Sequence, residues 1–187
     1  MALSHTILAA LNTGAQSGYD LLKGFSSGSG CFWQATQQQI YRELAKLEDQ
    51  GLIVPEVVLQ TGRPAKKLYS ITAAGQQLLG EWIAQPSKSS PIREELLVKV
   101  LAAHLTEPEV VLEELRRRQA QHAEQLQTYE EIWQTSGCSA LSELPLPLQC
   151  RCMTLRRGIR YEQSWVDWCE EAIVWLNHLP QEINSKT

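Results

Sequence analysis

The chain has 187 residues, 43% of them apolar, and a formal net charge of −4. This apolar content is ordinary for a soluble globular protein with a hydrophobic core. The apolar run at 7–11 is too short for a signal peptide or a membrane span, so we expect a cytoplasmic protein that does not bind membranes.

The net negative charge comes entirely from the second half of the chain. Residues 1–86 contain six Lys/Arg and six Asp/Glu, whereas residues 87–187 contain eleven and fifteen. An overall pI near 5.6 argues only weakly against a nucleic-acid binder, because a DNA surface in the neutral half needs only a local basic patch.

The five cysteines are an odd number, at positions 31, 138, 150, 152 and 169. In a chain without an apparent leader we therefore expect no disulfide framework. The pair Cys150 and Cys152 lacks the spacing of a zinc site and has no histidine at ligand spacing, so we expect no metal and no cofactor.

Helical periodicity and caps divide the first half into elements. A first helix is predicted near 3–12, and Ser17 with Asp20 predicts a capping box that starts a second helix. Thr36 with Gln39 predicts another capping box for a third helix, which ends at Gly51. Strands at 52–59 and 66–71 flank a turn at 61–64, and a fourth helix follows. This order predicts a winged helix-turn-helix domain over residues 1–86.

The second half, residues 87–187, is predicted to be helical after a linker at 85–91. Helices are expected near 92–105, from a capping box at 106–109 to about 134, and at 148–179, with a loop at 137–147. The last helix has a heptad seam, and the helix before it has a similar pattern. A mainly α protein with a small β-hairpin wing and a coiled-coil-like dimerisation domain is therefore expected. Its predicted dimerisation residues are Leu115, Leu126, Leu155, Ile159, Val166 and Ile173.

The third helix is the predicted recognition helix. If its apolar stripe faces the core, the opposite face can lie in the major groove, where Gln reads adenine and Arg reads guanine or binds phosphate. The hairpin adds a cationic cluster for backbone contact. The predicted DNA-binding residues are Thr36, Gln37, Gln38, Tyr41, Arg42, Lys46, Arg63, Lys66 and Lys67.

Several segments resemble the PadR family of transcriptional regulators. In the first half they are GYDL at 18–21, FW at 32–33, QQIYREL at 38–44, LExxGLI at 47–53 (x, any residue), GRPAKKLYSIT at 62–72 and AG at 74–75. PIREELLVK at 91–99 resembles the start of the virulence-activator AphA-like C-terminal domain. Ser17 departs from the family pattern, which often has histidine there. The resemblance implies a winged-helix homodimer that binds a near-palindromic double-stranded operator, often as a repressor, and in some members responds to a small aromatic effector.

Two features of the second half leave alternatives open. Trp165, Trp168 and Trp175 are expected in a core or dimer interface, and the alternative is an aromatic-lined ligand pocket. Glu162 interrupts one seam, and Arg118 and His122 interrupt the other. These polar groups are hypothesised to meet and set the register, and the alternative is that the seams face water at these points.

No sequence motif supports an enzyme, because phosphate loops and catalytic signatures are missing. An alternative function, of a different kind, is that of a protein-interaction adaptor whose acidic, Trp-rich half recruits another regulator.

Overall fold

The computed structural model describes residues 2–27, 35–60, 63–87, 91 and 93–178. It forms two compact units, Met1–Lys88 with Pro145–Arg151, and Ser89–Leu144 with Cys152–Thr187. The elements follow in chain order: α1 Ala2–Leu11, β1 Gln16–Ser17, α2 Gly18–Ser27, α3 Gln37–Asp49, β2 Ile53–Gln60, β3 Arg63–Ile71, α4 Ala73–Ile83, α5 Glu95–Leu101, α6 Pro108–Thr135 and α7 Leu146–Asn177. Short 3-10 helices lie at Ala103–Leu105 and Cys138–Glu143.

The first unit has one apolar core, to which helices and sheet both contribute. The three-stranded antiparallel sheet has the order β1-β3-β2, and β2 and β3 form the wing hairpin. Each helix turns one apolar stripe inward, as its 3.6-residue periodicity requires. The buried side chains are Ile7, Leu8, Leu11, Leu21, Phe25, Ile40, Leu44, Leu47, Ile53, Tyr69 and Leu79. The predicted winged helix-turn-helix fold is thereby confirmed.

Both predicted capping boxes of this unit are present. The Ser17 hydroxyl accepts a hydrogen bond from the Asp20 amide at 3.2 Å, and the Asp20 carboxylate accepts one from the Ser17 amide. Thr36 and Gln39 make the same reciprocal pair at the start of α3. The two-residue strand β1 was not predicted, because its structure comes from pairing with β3, where Gln16 faces Tyr69, and not from its own sequence.

The second unit packs α5, α6 and α7 around a separate core. Its buried residues are Leu96, Ala103, Val111, Leu112, Leu115, Cys169, Ala172 and Leu176. The capping box predicted at 106–109 is wrong: Thr106 ends the preceding 3-10 helix, and Glu107 is the N-cap of α6 without a side-chain cap bond. Pro108 then begins α6, a position at which proline is favoured because its missing amide hydrogen is not needed.

The expectation of no disulfide is also wrong, because Cys138 and Cys152 are bonded. Gly137 has φ of 69° and turns the chain at the end of α6, a conformation that glycine adopts without a steric penalty. The turn brings Cys138 to α7 with a Cα–Cα distance of 5.6 Å, within the range of protein disulfides. The number and spacing of the cysteines cannot reveal this proximity, because it depends on how the segment after α6 folds against α7.

Candidate nucleic-acid interface

Helix α3 presents one buried and one exposed face. Ile40, Leu44 and Leu47 are buried in the first core. The exposed face contains predicted DNA-binding residues, namely Gln37, Gln38, Tyr41, Arg42 and Lys46. These amide, phenol and cationic groups can hydrogen-bond to base edges and phosphates from a helix that fits the major groove.

Thr36 has a structural role at the start of α3. Its hydroxyl accepts from the Gln39 amide at 3.2 Å, while its own amide donates to Gln39 Oε1 at 2.9 Å. This arrangement satisfies one amide of the first helical turn and fixes where α3 begins. Thr36 is exposed, so a phosphate could still approach the remaining amides of that turn.

The Tyr41 ring lies over the start of α2. A Cβ atom built at Gly18 would lie 2.7 Å from Tyr41 Cε1 and 2.8 Å from Cζ. Gly18 is buried, whereas Tyr41 is 44% exposed. The lack of a side chain at position 18 therefore positions the aromatic ring of the exposed α3 face, a constraint that periodicity alone did not reveal.

Three predicted phosphate-binding lysines form ion pairs within the first unit. Lys46 lies 3.2 Å from Glu43 within α3. On β3, Lys66 lies 2.9 Å from Asp20 of α2, and Lys67 lies 2.9 Å from Glu48 of α3. All are partly exposed, so a phosphate can compete with each carboxylate for the ammonium group.

Hydrogen bonds and ion pairs shift the pKa of three of these groups, Asp20, Glu43 and Lys67. Lys66 is the largest cause that holds the pKa of Asp20 below its usual value, followed by the Ser17 hydroxyl. The Ser4 hydroxyl, which donates to Glu43, is the largest cause lowering the pKa of that group. Glu48 raises the pKa of Lys67. The wing and α3 thus form a network of opposite charges around the predicted DNA surface.

Arg42 differs from these lysines. Among the described residues, no carboxylate lies within ion-pair distance of its guanidinium. It is exposed on α3 one residue after Tyr41. The Arg63 side chain lies outside the described part of the structure, as do residues 32 and 33 of the family-like segments. Among the described side chains of the first unit, the Arg42 guanidinium is thus exposed and outside any ion pair.

The predicted dimerisation residues separate into two groups. Leu115 and Leu155 are buried within one chain, so its own helices already cover them. Leu126, Ile159, Val166 and Ile173 are half-buried. Among the tryptophans, Trp165 and Trp168 are half-buried, and Trp175 is 50% exposed.

The polar residues of the two seams form a cluster in the second unit. The predicted meeting of the two seams is confirmed, because His122 Nδ1 hydrogen-bonds to Glu162. Arg118, however, pairs with Glu94 at 2.9 Å instead of with Glu162. The His122 ring stacks on Trp165 with centroids 5.1 Å apart, and the Arg118 guanidinium lies 5.7 Å from the same indole.

Among the described residues, no three His, Cys, Asp or Glu side chains come together as ligands for a metal ion. No described helix is long and apolar enough to span a membrane.

Comparison with known proteins supports the identity of both halves. The transcriptional regulator PadR-like family matches residues 7–81, and the family described as virulence activator alpha C-term matches residues 92–177. The Probable transcriptional regulator Rv1176c of Mycobacterium tuberculosis is 36% identical over 183 residues, covering 91% of this chain and 95% of that protein.

Two solved structures have the same fold. The virulence activator AphA of Vibrio cholerae superposes with a TM-score of 0.72 and 34% identity, covering 94% of this chain and 98% of that one. PadR of Bacillus subtilis in complex with operator DNA superposes with a TM-score of 0.80 over the same shares, and its 24% identity there shows the fold alone. On the strength of the two matched families and the mycobacterial relative, the chain belongs to the PadR-like family of transcriptional regulators.

Proposed function

We propose that this chain is a homodimeric repressor that binds a near-palindromic operator with α3 in the major groove and the wing on the flanking backbone, and that it has no catalytic role. The observation that carries the proposal is the exposed face of α3, on which Gln38, Arg42 and Lys46 lie at helical spacing with Arg42 outside any described ion pair. The Bacillus subtilis relative, 29% identical over 180 residues, is a negative transcriptional regulator. A protein with this function works in the cytoplasm, where the DNA lies.

The wing supports the proposal through its charge. Lys66 and Lys67 stand next to each other on β3, and register places them opposite Val58 and Val57 of β2. Each lysine that exchanges its carboxylate for a phosphate releases counterions from the DNA, which makes binding depend steeply on salt. Such contacts hold the protein on the duplex, while α3 supplies the base contacts.

The dimer is proposed to form through the second unit. A two-fold dimer would place two α3 helices in major grooves about 34 Å apart or a multiple of that distance. The half-buried residues Ile159, Val166 and Ile173 and the exposed Trp175 are the side chains a second copy could cover. Sedimentation of a Trp175→Glu variant should show a shift from dimer to monomer, and an unchanged dimer would exclude this surface.

The test of DNA binding uses a labelled duplex from the region upstream of the protein's own gene. Fluorescence anisotropy should show steep salt dependence for the wild type. Arg42→Ala should weaken binding about tenfold. If Arg42 contacts a phosphate, the slope of log affinity against log salt concentration should also fall by about one. Arg116→Ala, which removes an exposed arginine from α6, is the matched control and should bind normally. Equal binding by both variants would exclude the proposed face, and no binding by the wild type would favour the adaptor alternative.

A second candidate function, ligand sensing, is favoured by the cluster around Trp165. Arg118 Nε and His122 Nε2 are buried and have no hydrogen-bond partner within the described residues. Buried donors are normally paired, so these two could donate to an acid or phenol whose ring packs on the indole. Bacillus subtilis PadR has been solved with p-coumaric acid.

The test of ligand sensing is titration of the protein–DNA complex with p-coumaric acid. Release from DNA by the wild type but not by Trp165→Leu would support a sensor at this cluster. Continued binding of DNA at saturating acid, with no change in tryptophan fluorescence, would argue against it for this compound.

A further inference from the structure

The disulfide between Cys138 and Cys152 joins two elements of the second unit. Cys138 begins the 3-10 helix at Cys138–Glu143, and Cys152 lies in the second turn of α7. Both side chains are 2% exposed. The bond closes a loop with a sequence separation of 14 residues, which includes that 3-10 helix and the start of α7.

The loop contains the start of α7, the helix that carries Ile159, Val166 and Ile173 of the proposed dimer surface. Both cysteines belong to the second unit. A cross-link between the loop ends limits the conformations that the enclosed segment can adopt. Opening the bond therefore changes the freedom of the first turns of α7, the helix proposed to form the dimer that binds the operator.

The reducing conditions of the cytoplasm favour a regulatory disulfide over a structural one. A protein that binds operator DNA works where glutathione and thioredoxin keep thiols reduced, and disulfides there are usually transient and redox-sensing. We propose that Cys138 and Cys152 are a reversible redox modification site, oxidised by peroxide and reduced by cellular dithiols, whose state sets operator affinity. This inference rests on the proposed DNA-binding function.

The oxidation balances with hydrogen peroxide as the oxidant. One thiolate attacks a peroxide oxygen, so that an S–O bond forms, the O–O bond breaks and the leaving hydroxide is protonated to water. The second thiolate then attacks this sulfur, forming the S–S bond and displacing a second water. The two sulfurs lose two electrons, the peroxide gains them, and the two thiol protons end in the two waters. A dithiol reverses the bond by exchange through a mixed disulfide.

The backbone beside Cys138 is less regular than the α-helix that contains Cys152. Ala140, two residues after Cys138, has φ of −102° and ψ of 50°, which interrupts the 3-10 helix. Short 3-10 segments have poorer hydrogen-bond geometry than α-helices and open at lower free energy. We therefore expect a small oxidant or reductant to reach the disulfide from the Cys138 end.

The first part of the test counts thiols in the full-length protein. After treatment with hydrogen peroxide or dithiothreitol, the protein is denatured and labelled with a polyethylene glycol maleimide, so that gel mobility reports the number of reactive cysteines. Five cysteines should react in the reduced protein and three in the oxidised protein, because two of the five are in the bond. Five reactive cysteines in both states would overturn the proposal.

The second part compares operator affinity in the two states by anisotropy. Because the closed loop is more ordered, oxidised wild type should bind more tightly, by about fivefold or more, within the usual range of coupling between sites. The difference should vanish in Cys138→Ser/Cys152→Ser and persist in Cys150→Ser, which removes an exposed cysteine from the same helix. Comparing the two states of the wild type needs no variant, so a poorly folded double variant does not weaken the test.

The outcomes separate this inference from the proposed function. Operator binding with equal affinity in both states would leave the function intact and overturn redox control. A difference that disappears in Cys150→Ser would also overturn the assignment to Cys138 and Cys152. Failure to bind the operator in both states would contradict the proposed function itself.

Discussion

The ring of Tyr41 occupies the space that a side chain at position 18 would need. A Cβ atom at Gly18 would come within 2.7 Å of Tyr41 Cε1, closer than real Cβ contacts come. Gly18 is the first residue of α2, and Tyr41 lies on the exposed face of α3. The contact therefore couples a glycine of one helix to the ring position on the proposed recognition helix.

Gly18→Ala should change DNA binding more than stability. The colliding atoms are at the outer end of a partly exposed side chain, so the ring can move, and the free energy of unfolding should change by less than about 1 kcal/mol. Operator affinity should fall several-fold because Tyr41 leaves its position. Gly24→Ala on α2 is the control, since nothing lies within 4 Å of its Cβ. Wild-type operator affinity in Gly18→Ala would contradict a role for the Tyr41 position.

Gly75→Ala should destabilise the first unit. A Cβ at Gly75 would lie 2.2 Å from the Leu52 carbonyl oxygen, and backbone cannot move aside as a side chain does. Overpacking of this kind typically costs about 1–3 kcal/mol, which urea denaturation would measure. Gly80→Ala on the same helix meets no atom within 4 Å and should be neutral or stabilising by up to about 1 kcal/mol. Similar effects at both glycines would show that the Leu52 contact is unimportant.

Glu48→Gln should strengthen operator binding. Both carboxylate oxygens of Glu48 accept from Lys67 Nζ, at 3.1 and 2.9 Å, so neutralising Glu48 frees a lysine of the wing and removes a negative charge. Affinity measured by anisotropy at low salt should rise a few-fold, with a steeper salt dependence. Glu113→Gln, the same charge change at an exposed position on α6, should have no effect. Weaker binding by Glu48→Gln would mean that this ion pair orients Lys67 for DNA.

Asp20→Asn should reduce stability in a pH-dependent way. The pKa of Asp20 lies below its usual 3.8 in the folded protein, mainly because of Lys66, so its charge stabilises the fold above pH 3.8 and this contribution disappears as pH falls through the lowered value. Asn keeps an oxygen for the Ser17 amide but loses the charge. Urea unfolding should show a deficit below about 1 kcal/mol at pH 7, because the pair is exposed, and a smaller one at pH 3.

Asp49→Asn controls for removing one exposed acid from the same unit. A deficit for Asp20→Asn that is the same at pH 7 and pH 3 would indicate lost packing or hydrogen bonding and not lost charge.

The His122–Glu162 pair should show strong energetic coupling. Both side chains are largely buried. Removing one of them therefore leaves the other without its hydrogen bond, and water cannot replace that bond. A double-mutant cycle with His122→Leu and Glu162→Leu should give a coupling of about 1–3 kcal/mol in urea unfolding. The exposed pair Lys99–Glu95 is the control and should give no more than about 0.5 kcal/mol. Equal coupling in the two cycles would mean that burial does not strengthen the pair.

Local features of the sequence were sufficient for the order of the long helices and the wing hairpin, and for the face of α3. The capping boxes at Ser17 and Thr36 join residues three apart, and the buried stripe of Ile40, Leu44 and Leu47 follows helical periodicity. These features depend on neighbours within one or two turns, so a sequence contains them directly. That Gln38, Arg42 and Lys46 contact DNA remains a prediction.

Contacts between residues far apart in the chain were decided only by the tertiary structure. Lys66 and Lys67 pair with Asp20 and Glu48, and the ring of Tyr41 lies over Gly18. In the second unit, Arg118 pairs with Glu94 and Cys138 bonds to Cys152, against the sequence-based expectations. The sequence by itself determined the order of the long helices and which side of each is apolar, because both depend on local periodicity. Only the folded chain determined which charge, ring or sulfur each side chain meets, because that depends on how packed elements bring distant residues together.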